Sequence, residues 1–271
     1  MKDRLDDQVV IVTGAASGIG RGTALRLLSE GAVVTALDLR DEDLAKLADA
    51  VPAHHRERLS TGRVDIADEH SVQSAVADVL ERNGRIDGLV NAAGILYGDH
   101  THEMTLERWN RLVQVNLTGT FLVVREALPA LVATGSGVIV NFASTSAFYA
   151  HPYMAAYAAT KGAIAAFTHS VALEYAKDGL RAINIVPGGI HSGITSTTPQ
   201  NLPADADWSI LGHLGARLGD GDMGRPEDRG GHRHAPVRGR GVHHRDRDPH
   251  RQRDPRIGGP PAHVEPDHAS G

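Results

Sequence analysis

The sequence contains a tyrosine and a lysine whose spacing suits proton transfer. Tyr157 and Lys161 lie four residues apart in the small-residue run from Met154 to Phe167. If this run is helical, the two side chains share one face, and the phenol and the ammonium are neighbours. A nearby cation favours the phenolate and lowers the pKa of a tyrosine from about 10. We therefore expect Tyr157 to act as an acid or base; the plainer alternative is a solvated helix face.

A glycine-rich stretch near the amino terminus has the composition of a phosphate-binding turn. Residues 13–20 read Thr-Gly-Ala-Ala-Ser-Gly-Ile-Gly, between an apolar run and a segment of helical periodicity. Glycine lets backbone N–H groups approach a pyrophosphate, which the positive end of the following helix stabilises. This context favours a dinucleotide site over an ordinary tight turn. The predicted contacts are Gly14, Ser17, Gly18, Ile19 and Gly20.

An acidic residue follows at the distance expected for ribose recognition. Asp38 lies 24 residues after Gly14, near the interval of about 20 at which a carboxylate binds the adenosine ribose hydroxyls of NAD. A carboxylate there repels the 2′-phosphate of NADP, although Arg40 would soften the repulsion. The glycine turn offers Ser17 but no basic residue for such a phosphate. The sequence therefore favours NAD, with NADP as the alternative; the plainer interpretation is that Asp38 caps the helix entering at Asp41.

Strands and helices alternate along the chain in a way that brings these motifs together. Short apolar runs predict strands, and segments of helical periodicity separate them. The predicted strands are 8–13, 32–37, 62–66, 86–91, 137–143 and 181–186, and the predicted helices are 19–30, 41–50, 68–82, 105–116, 118–133 and 154–177. The pattern indicates an α/β fold with a single doubly wound parallel sheet and helices on both faces. Ligands of such sheets lie beyond the carboxyl ends of the strands, where these motifs fall.

Composition excludes several classes of protein. A chain of 271 residues with 41% hydrophobic residues suits one large domain, and a net charge of -5 argues against a nucleic-acid partner. The absence of cysteine removes disulfides and thiolate metal sites, and we predict no metal. The first seven residues are too charged for a signal peptide, and no apolar run of about 18 residues predicts a membrane span. We expect a cytoplasmic protein.

From about Leu5 to Asp228 the chain resembles the short-chain dehydrogenase/reductase family. The motifs that carry the resemblance are the glycine turn, Asn91-Ala92-Ala93-Gly94, Asn116 in Val-Asn-Leu-Thr-Gly, Ser144 in Asn-Phe-Ala-Ser, Tyr157 with Lys161, and Pro187-Gly188. The resemblance implies an oxidoreductase that interconverts a secondary alcohol and a ketone with a nicotinamide cofactor. It assigns residues 1–228 to one Rossmann-type catalytic domain and implies a homodimer or homotetramer.

The resemblance also implies roles for individual residues. Tyr157 would be the general acid/base, and Lys161 would lower its pKa and bind the nicotinamide ribose. Ser144, thirteen residues before Tyr157, would bind the substrate oxygen; Ser146 is a weaker candidate on spacing. Asn116 would hold a water in a proton relay behind Lys161. The further implied cofactor contacts are Asp65, Ile66, Asn91, Ala92, Gly94, Pro187, Gly188, Ile190 and Ser192; the plainer alternatives are that Asp65 caps a helix and Asn91 bridges strands.

Substrate recognition is expected in the loop 193–218, together with Leu96, Tyr97, His151 and Tyr153. The loop has no arginine cluster before Arg217, which disfavours a polyanionic substrate. A ketoester, a sugar, a steroid and a small alcohol all remain open. The predicted partner is therefore a small-molecule alcohol or ketone.

The last 43 residues differ in kind from the rest. Residues 229–271 contain nine arginines and seven histidines but no Leu, Phe, Met, Tyr or Trp, so they cannot build a core. We predict a low-complexity, disordered tail in place of the final strand that the resemblance implies. A histidine-rich metal-binding tail is the competing interpretation.

The tail also has the features of a frameshift product. Shifting the possible codons of residues 229–256 by one base, with the wobble base free, permits the string AAVIAMLLSEDGAFITGTEIRIDSGTHA. That string reads as an apolar helix followed by a strand with the Thr-Gly-Thr and Asp-x-Gly ending of the family. We therefore hypothesise a frameshift at about residue 229, and the alternative function is a catalytically impaired nucleotide-binding protein.

Overall fold

The computed structural model describes residues 4–188, 201–207 and 209–210. Within them, six parallel strands form one sheet in the order β3-β2-β1-β4-β5-β6. The strands are β1 (Val9–Thr13), β2 (Val33–Asp38), β3 (Leu59–Arg63), β4 (Gly88–Asn91), β5 (Val138–Phe142) and β6 (Arg181–Ile185). The order reverses direction between β1 and β4, which is the doubly wound arrangement predicted from the alternating pattern.

Helices cover both faces of this sheet. They are α1 (Gly18–Ser29), α2 (Asp41–Ala50), α3 (Glu69–Asn83), α4 (Leu106–Leu112), α5 (Thr120–Ala133) and α6 (Ala155–Glu174). One apolar cluster packs α1 and α2 on one face through Val12, Leu28 and Leu47. A second cluster packs α3, α5 and α6 on the other face through Ile11, Leu89 and Ile139. Burial on both faces explains why the central strands are continuous apolar runs.

The third strand is displaced from its predicted position. The sequence predicts residues 62–66, whereas β3 is Leu59–Arg63. Because β3 is an edge strand with largely accessible residues, its own apolar signal is weak. Val64 and Ile66, which attracted the prediction, are buried beyond the end of the strand. Asp65 therefore lies in the loop after β3 and does not end the strand.

Two helices predicted at 105–116 and 118–133 form one continuous helical path. α4 passes into α5 through a single wide turn, Val113–Gly119. Within this turn the Asn116 carbonyl accepts a 2.7 Å hydrogen bond from Thr120 Oγ1. A Cβ on Gly119 would lie 2.9 Å from three atoms of Ile66, so glycine permits the turn to pass close to the loop after β3. Such wide turns insert one extra residue and re-aim a side chain.

The combined helix Leu106–Ala133 is long and apolar enough to cross a bilayer by length and composition. Half of its most apolar window is buried within this molecule, and α5 packs against α3, β4 and β5. Its apolar character is therefore that of a helix in the layer covering the sheet.

The outer strand β6 exposes apolar side chains on one face. In register, Ile183 pairs with Val140 and Ile185 with Phe142. Ile183 and Ile185 are 47% and 41% exposed. Ala182, which points to the opposite face, is buried in the cluster that contains α6 residues. Among the described residues no strand pairs with the outer edge of β6.

Candidate active site

A groove of about 350 Å³ lies at the carboxyl ends of β1, β2 and β4. It passes between the glycine turn, the loops after β2 and β3, and the start of the loop after β4. Ten of the residues predicted from the sequence line it: Gly14, Ser17, Gly18, Ile19, Gly20, Asp38, Asp65, Ile66, Ala92 and Gly94.

The glycine turn has the close packing and the unused donors of an anion site. Gly14 adopts φ +66°, and a Cβ there would lie 2.6 Å from Ala93 Cα. A Cβ on Gly20 would collide with the Gly14 carbonyl. Helix α1 starts at Gly18 with no side-chain capping bond and no acidic residue in its first turn. Its first N–H groups and its positive end therefore face the groove without competition.

Asp38 is held in place by the backbone of the glycine turn. It is 8% exposed, and its Oδ2 accepts a 3.0 Å hydrogen bond from Ala16 N. Its Oδ1 accepts from Arg40 N at 3.2 Å and lies 3.6 Å from Arg40 Nε. Arg40 Nη2 also donates to Ser17 Oγ at 3.0 Å. A carboxylate has about four acceptor positions, so Asp38 retains capacity for two ribose hydroxyls.

Asp65 and Asn91 occupy different surroundings. Asp65 Oδ1 accepts from Ala67 N at 2.9 Å, and Asp65 lines the groove. The residue that caps α3 is Asp68, whose side chain accepts from Ser71 N. Asn91 is buried outside the lining and donates to Asn141 Oδ1 on β5 at 2.9 Å. The structure thus places Asn91 as a bridge between strands, while Ala92 and Gly94 reach the groove.

Tyr157 and Lys161 lie on one face of α6, as their spacing predicts. Tyr157 is 8% exposed and Lys161 is 5% exposed. Lys161 Nζ lies 5.7 Å from the centroid of the Tyr157 ring and donates to the Phe142 carbonyl at 2.7 Å. Ser144 lies close enough to the Tyr157 hydroxyl to lower its pKa. α6 therefore delivers both groups to the end of β5.

The pKa of Tyr157 shifts in the direction opposite to the expected one. Burial raises the pKa to about 12, and the hydrogen bond to Ser144 opposes this only in part. Desolvation therefore dominates the Tyr157 pKa in this arrangement, and the lowering of this pKa by Lys161 stays a prediction. Burial also lowers the pKa of Lys161 to about 8. Near neutral pH the phenol is thus firmly protonated, and the ammonium titrates within reach of neutrality.

Asn116 joins the loop after β4 to the catalytic helix. It is fully buried; Oδ1 accepts from Ile95 N at 2.8 Å, and Nδ2 donates to Ile95 O at 2.9 Å. Nδ2 also lies 3.2 Å from Thr160 Oγ1, which donates to the Tyr157 carbonyl at 2.7 Å. A Cβ on Gly94 would lie 3.2 Å from Asn116 Oδ1 and 3.8 Å from Lys161 Nζ. Asn116 and Lys161 therefore face the same end of the groove wall.

Ser144 is oriented by a short turn that follows β5. Its Oγ accepts a 3.1 Å hydrogen bond from Ser146 N as it caps the turn Thr145–Ala147. Ser146 contributes this backbone donor, and its own hydroxyl is buried without a protein partner. The Pro187 carbonyl accepts a 3.0 Å hydrogen bond from Thr145 N. Gly188 is exposed just beyond β6, and the predicted contacts Ile190 and Ser192 lie outside the described residues.

Some lining residues were not predicted from the sequence: Leu39, Val64, Ile95, Arg111 and Val115. Val115 directly precedes Asn116, and Arg111 lies one helical turn earlier at the i,i+4 spacing. This spacing places Arg111 and Val115 on one face of a helix, and it could have predicted from the sequence that both line the groove.

A doubly wound sheet with a glycine turn and a groove at its switch point defines a nucleotide-binding protein of the Rossmann type. Comparison with known proteins makes the class specific: the short chain dehydrogenase family model matches residues 8–203. The chain belongs to this family and is an oxidoreductase acting on CH–OH groups.

Individual relatives are similar over most of their length. The chain is 40% identical over 191 residues to 2-(R)-hydroxypropyl-CoM dehydrogenase of Xanthobacter autotrophicus, covering 69% of this chain and 76% of that protein. Levodione reductase matches in structure with a TM-score of 0.69 and 35% identity. The match covers 72% of this chain and 76% of that protein. The structure of 3-ketoacyl-(acyl-carrier-protein) reductase of Brucella melitensis complexed with NADH matches with a TM-score of 0.68 and 31% identity. The match covers 72% of this chain and 81% of that protein.

Proposed function

We propose that this protein interconverts a secondary alcohol and a ketone by hydride transfer with NAD(H), with Tyr157 as the general acid/base. The observation that carries the proposal is the buried Tyr157 phenol, with the Lys161 ammonium 5.7 Å from its ring centroid on the same face of α6. Relatives whose names describe dehydrogenation of hydroxyl groups support the reaction class. They do not favour the alternative of a nucleotide-binding protein without turnover.

The groove residues fit a dinucleotide. Its pyrophosphate would be held at the turn from Gly14 to Gly20, its adenosine ribose by Asp38, and its adenine beside Asp65 and Ile66. The bound nicotinamide would supply the hydride. Pro187 and Gly188 follow β6, next to the Ser144 turn, and would approach the nicotinamide end, followed in the chain by Ile190 and Ser192.

The side chains of the site divide the proton transfer among them. Ser144 Oγ would hold the substrate oxygen, and the neighbouring Tyr157 hydroxyl would donate its proton to that oxygen in the direction of ketone reduction. The raised pKa of Tyr157 keeps this proton in place until the substrate oxygen gains charge. The Lys161 ammonium, whose Nζ lies 5.7 Å from the centroid of the ring, would then stabilise the phenolate.

Asn116 would support return of the proton to Tyr157. Its side chain is hydrogen-bonded to Ile95 and to Thr160, and Thr160 directly precedes Lys161 in the chain. We propose that Lys161 Nζ returns a proton to the Tyr157 phenolate after each turnover, and that a water held near Asn116 then passes a proton from solvent to Lys161.

Asp38 supports NAD as the preferred cofactor. Its carboxylate is buried at the ribose end of the groove and is tied to Ala16. A 2′-phosphate there would meet this negative charge at low solvent exposure, where repulsion is poorly screened. Arg40 offsets part of the charge but is already engaged with Asp38, Ser17 and Asp43. NADP therefore remains the weaker alternative.

We further propose a small uncharged alcohol or ketone as the substrate, a homo-oligomeric assembly and a cytoplasmic location. The small size of the substrate is supported by relatives named as dehydrogenases or reductases of small molecules, and its lack of charge by the relatives named for butanediol and levodione. The other two proposals follow from family membership.

The test is an absorbance assay of NADH and NADPH turnover against a panel of ketones and secondary alcohols. We expect turnover with NAD(H) to exceed that with NADP(H). Tyr157→Phe removes the proton donor and should lower kcat by about 10²- to 10⁴-fold. Tyr175→Phe, at the other end of the α6 region, is the matched control and should retain activity. Unchanged turnover in Tyr157→Phe would contradict the mechanism.

A further inference from the structure

Tyr153, just before α6, has an unusual backbone conformation. Its φ of +65° places a bulky aromatic residue in the left-handed region. Such a conformation is strained for a residue other than glycine, asparagine or aspartate and persists only where the surroundings fix it. Tyr153 lies four residues before Tyr157, so the strain is stored at the entrance to the catalytic helix.

The contacts of Tyr153 explain how this conformation is held. Its carbonyl accepts from Asp99 N at 2.8 Å, and its hydroxyl accepts from Asp207 N at 2.9 Å. Its ring meets His100 edge-on at 5.1 Å. One residue therefore joins the loop after β4 to the segment 201–207.

Segment 201–207 is attached to the same loop at two further points. Gly98 N donates to Asn201 O at 2.8 Å, and His100 Nε2 lies 3.1 Å from Asp205 Oδ1. A Cβ on Gly98 would lie 2.5 Å from Leu202 Cδ2, so the two segments are in close contact. The segment is thus held by its backbone, by the hydrogen bond between His100 and Asp205 and by the Tyr153 hydroxyl.

These attachments press an apolar surface against the catalytic tyrosine. Leu202 and Ala206 are each 8% exposed and belong to the cluster that contains Leu96, Met154 and Tyr157. The polar side chains beside the cluster are paired with each other: Asp99 forms an ion pair with Arg108, and His100 Nε2 is hydrogen-bonded to Asp205 Oδ1. An incoming substrate would therefore meet the apolar groups of this cluster on the side that the described residues form.

We propose that Tyr153 is a positioning residue that sets substrate specificity. It holds segment 201–207 against the cluster around Tyr157, so the site takes uncharged ketones and secondary alcohols with a compact apolar group beside the reacting carbon. This inference rests on the proposed function, since it concerns the substrate of that same site. Tyr153 acts through Leu202 and Ala206 and does not itself transfer a proton.

The kinetic test uses Tyr153→Phe, which keeps the ring and removes only the acceptor for Asp207 N. We would measure kcat and KM of the full chain for methyl ketones from butanone to octan-2-one, and for acetoacetate as a charged probe of similar length. The wild type should prefer the compact neutral ketones to acetoacetate by tenfold or more. The variant should raise KM for the preferred ketone about three- to tenfold, as for loss of one hydrogen bond, with kcat changed less than twofold. In the variant, KM should also depend less on the length of the ketone's alkyl chain.

The matched control is Tyr149→Phe, whose side chain is exposed and makes no described side-chain hydrogen bond. It should leave every constant unchanged, and the affinity for NADH should be equal in all three proteins. A lowered kcat with unchanged KM, or equal effects of the two variants, would overturn the inference.

A second measurement separates this inference from the proposed function. Hydrogen exchange of the amides in segment 201–207 should accelerate at least threefold in Tyr153→Phe and not in Tyr149→Phe. If the wild type turns over no ketone but this exchange difference is found, the proposed function fails while the positioning contact stands. Unchanged exchange would refute the contact whatever the assay shows.

Discussion

At the residue scale, the most costly group in the site is the Lys161 ammonium. It is 5% exposed, and its described hydrogen bond goes to a single neutral acceptor, the Phe142 carbonyl. A buried charge with one neutral partner destabilises the folded state. A depression of its pKa from about 10.5 to about 8 corresponds to a cost on the order of 3 kcal/mol below pH 8. The chain therefore gives up stability to hold a cation against Tyr157.

This cost predicts a specific pH dependence for Lys161→Met. Between about pH 8 and 10.5 the unfolded lysine still binds a proton that the folded lysine has lost, so stability from this group rises with pH. The free energy of unfolding of the wild type, relative to that of the variant, should increase by about 1.4 kcal/mol per pH unit across this window. Urea unfolding at pH 7, 8, 9 and 10 measures it. A difference that is constant over the window would contradict the burial cost.

At the element scale, the strands whose sequence signal comes from burial on both faces were predictable. β1 and β4 lie within one or two residues of their predicted ends because neighbours on each side enforce apolar side chains at nearly every position. The edge strand β3 was misplaced because its accessible residues carry no such signal. The wide turn before α5 was missed because it depends on the contact of Gly119 with Ile66, 53 positions away in sequence.

The same limits apply to the site. The spacing of Tyr157 and Lys161 predicted which groups meet, since one helix carries both. It did not predict the direction of the Tyr157 pKa shift, because desolvation depends on how many elements close over the phenol. Asn91 shows the same limit: its place at the end of β4 was clear, but its partner Asn141 is set by strand order.

Gly119→Ala tests the close approach of the wide turn. The new methyl group would meet Ile66 at 2.9 Å, and we expect a loss of about 1–2 kcal/mol in the free energy of unfolding, because overpacking outweighs the gain in helix propensity. Gly22→Ala is the control, since a Cβ there meets no atom within 4 Å in an exposed part of α1. It should stabilise the protein by up to about 1 kcal/mol. If both substitutions stabilise the protein equally, the close approach is absent.

At the scale of the whole molecule, the sheet is unevenly covered. Its amino-terminal half is packed by helices on both faces, whereas Ile183, Ile185 and Val186 remain 40–47% exposed at the β6 end. This is the region where a final helix and strand encoded in the shifted reading frame would pack. The exposed apolar residues are therefore consistent with the frameshift hypothesis, which resequencing of the locus decides.

A chain with the corrected reading frame after Asp228 should be the more stable one. Covering the exposed side chains of β6 contributes a few kcal/mol, which corresponds to a rise in Tm of several degrees for a domain of this size. Differential scanning calorimetry of the chain as written, of the corrected chain and of a chain ending at Asp228 measures this. The chain as written and the chain ending at Asp228 should have the same Tm, and that Tm should be lower than the Tm of the corrected chain. Equal melting temperatures for all three would refute the prediction.

The catalytic turn depends on the least protected strand. Ala143 N and Thr145 N, on either side of Ser144, donate to the carbonyls of Ile185 and Pro187, at and just after the end of β6. Local opening of this edge would release the substrate-binding serine while the glycine turn and Asp38, anchored on β1 and β2, stay in place. The nucleotide-binding part of the sheet is thus expected to resist local unfolding better than the part that carries the catalytic residues. Under mild stress it should stop turning over substrate while it still binds nucleotide.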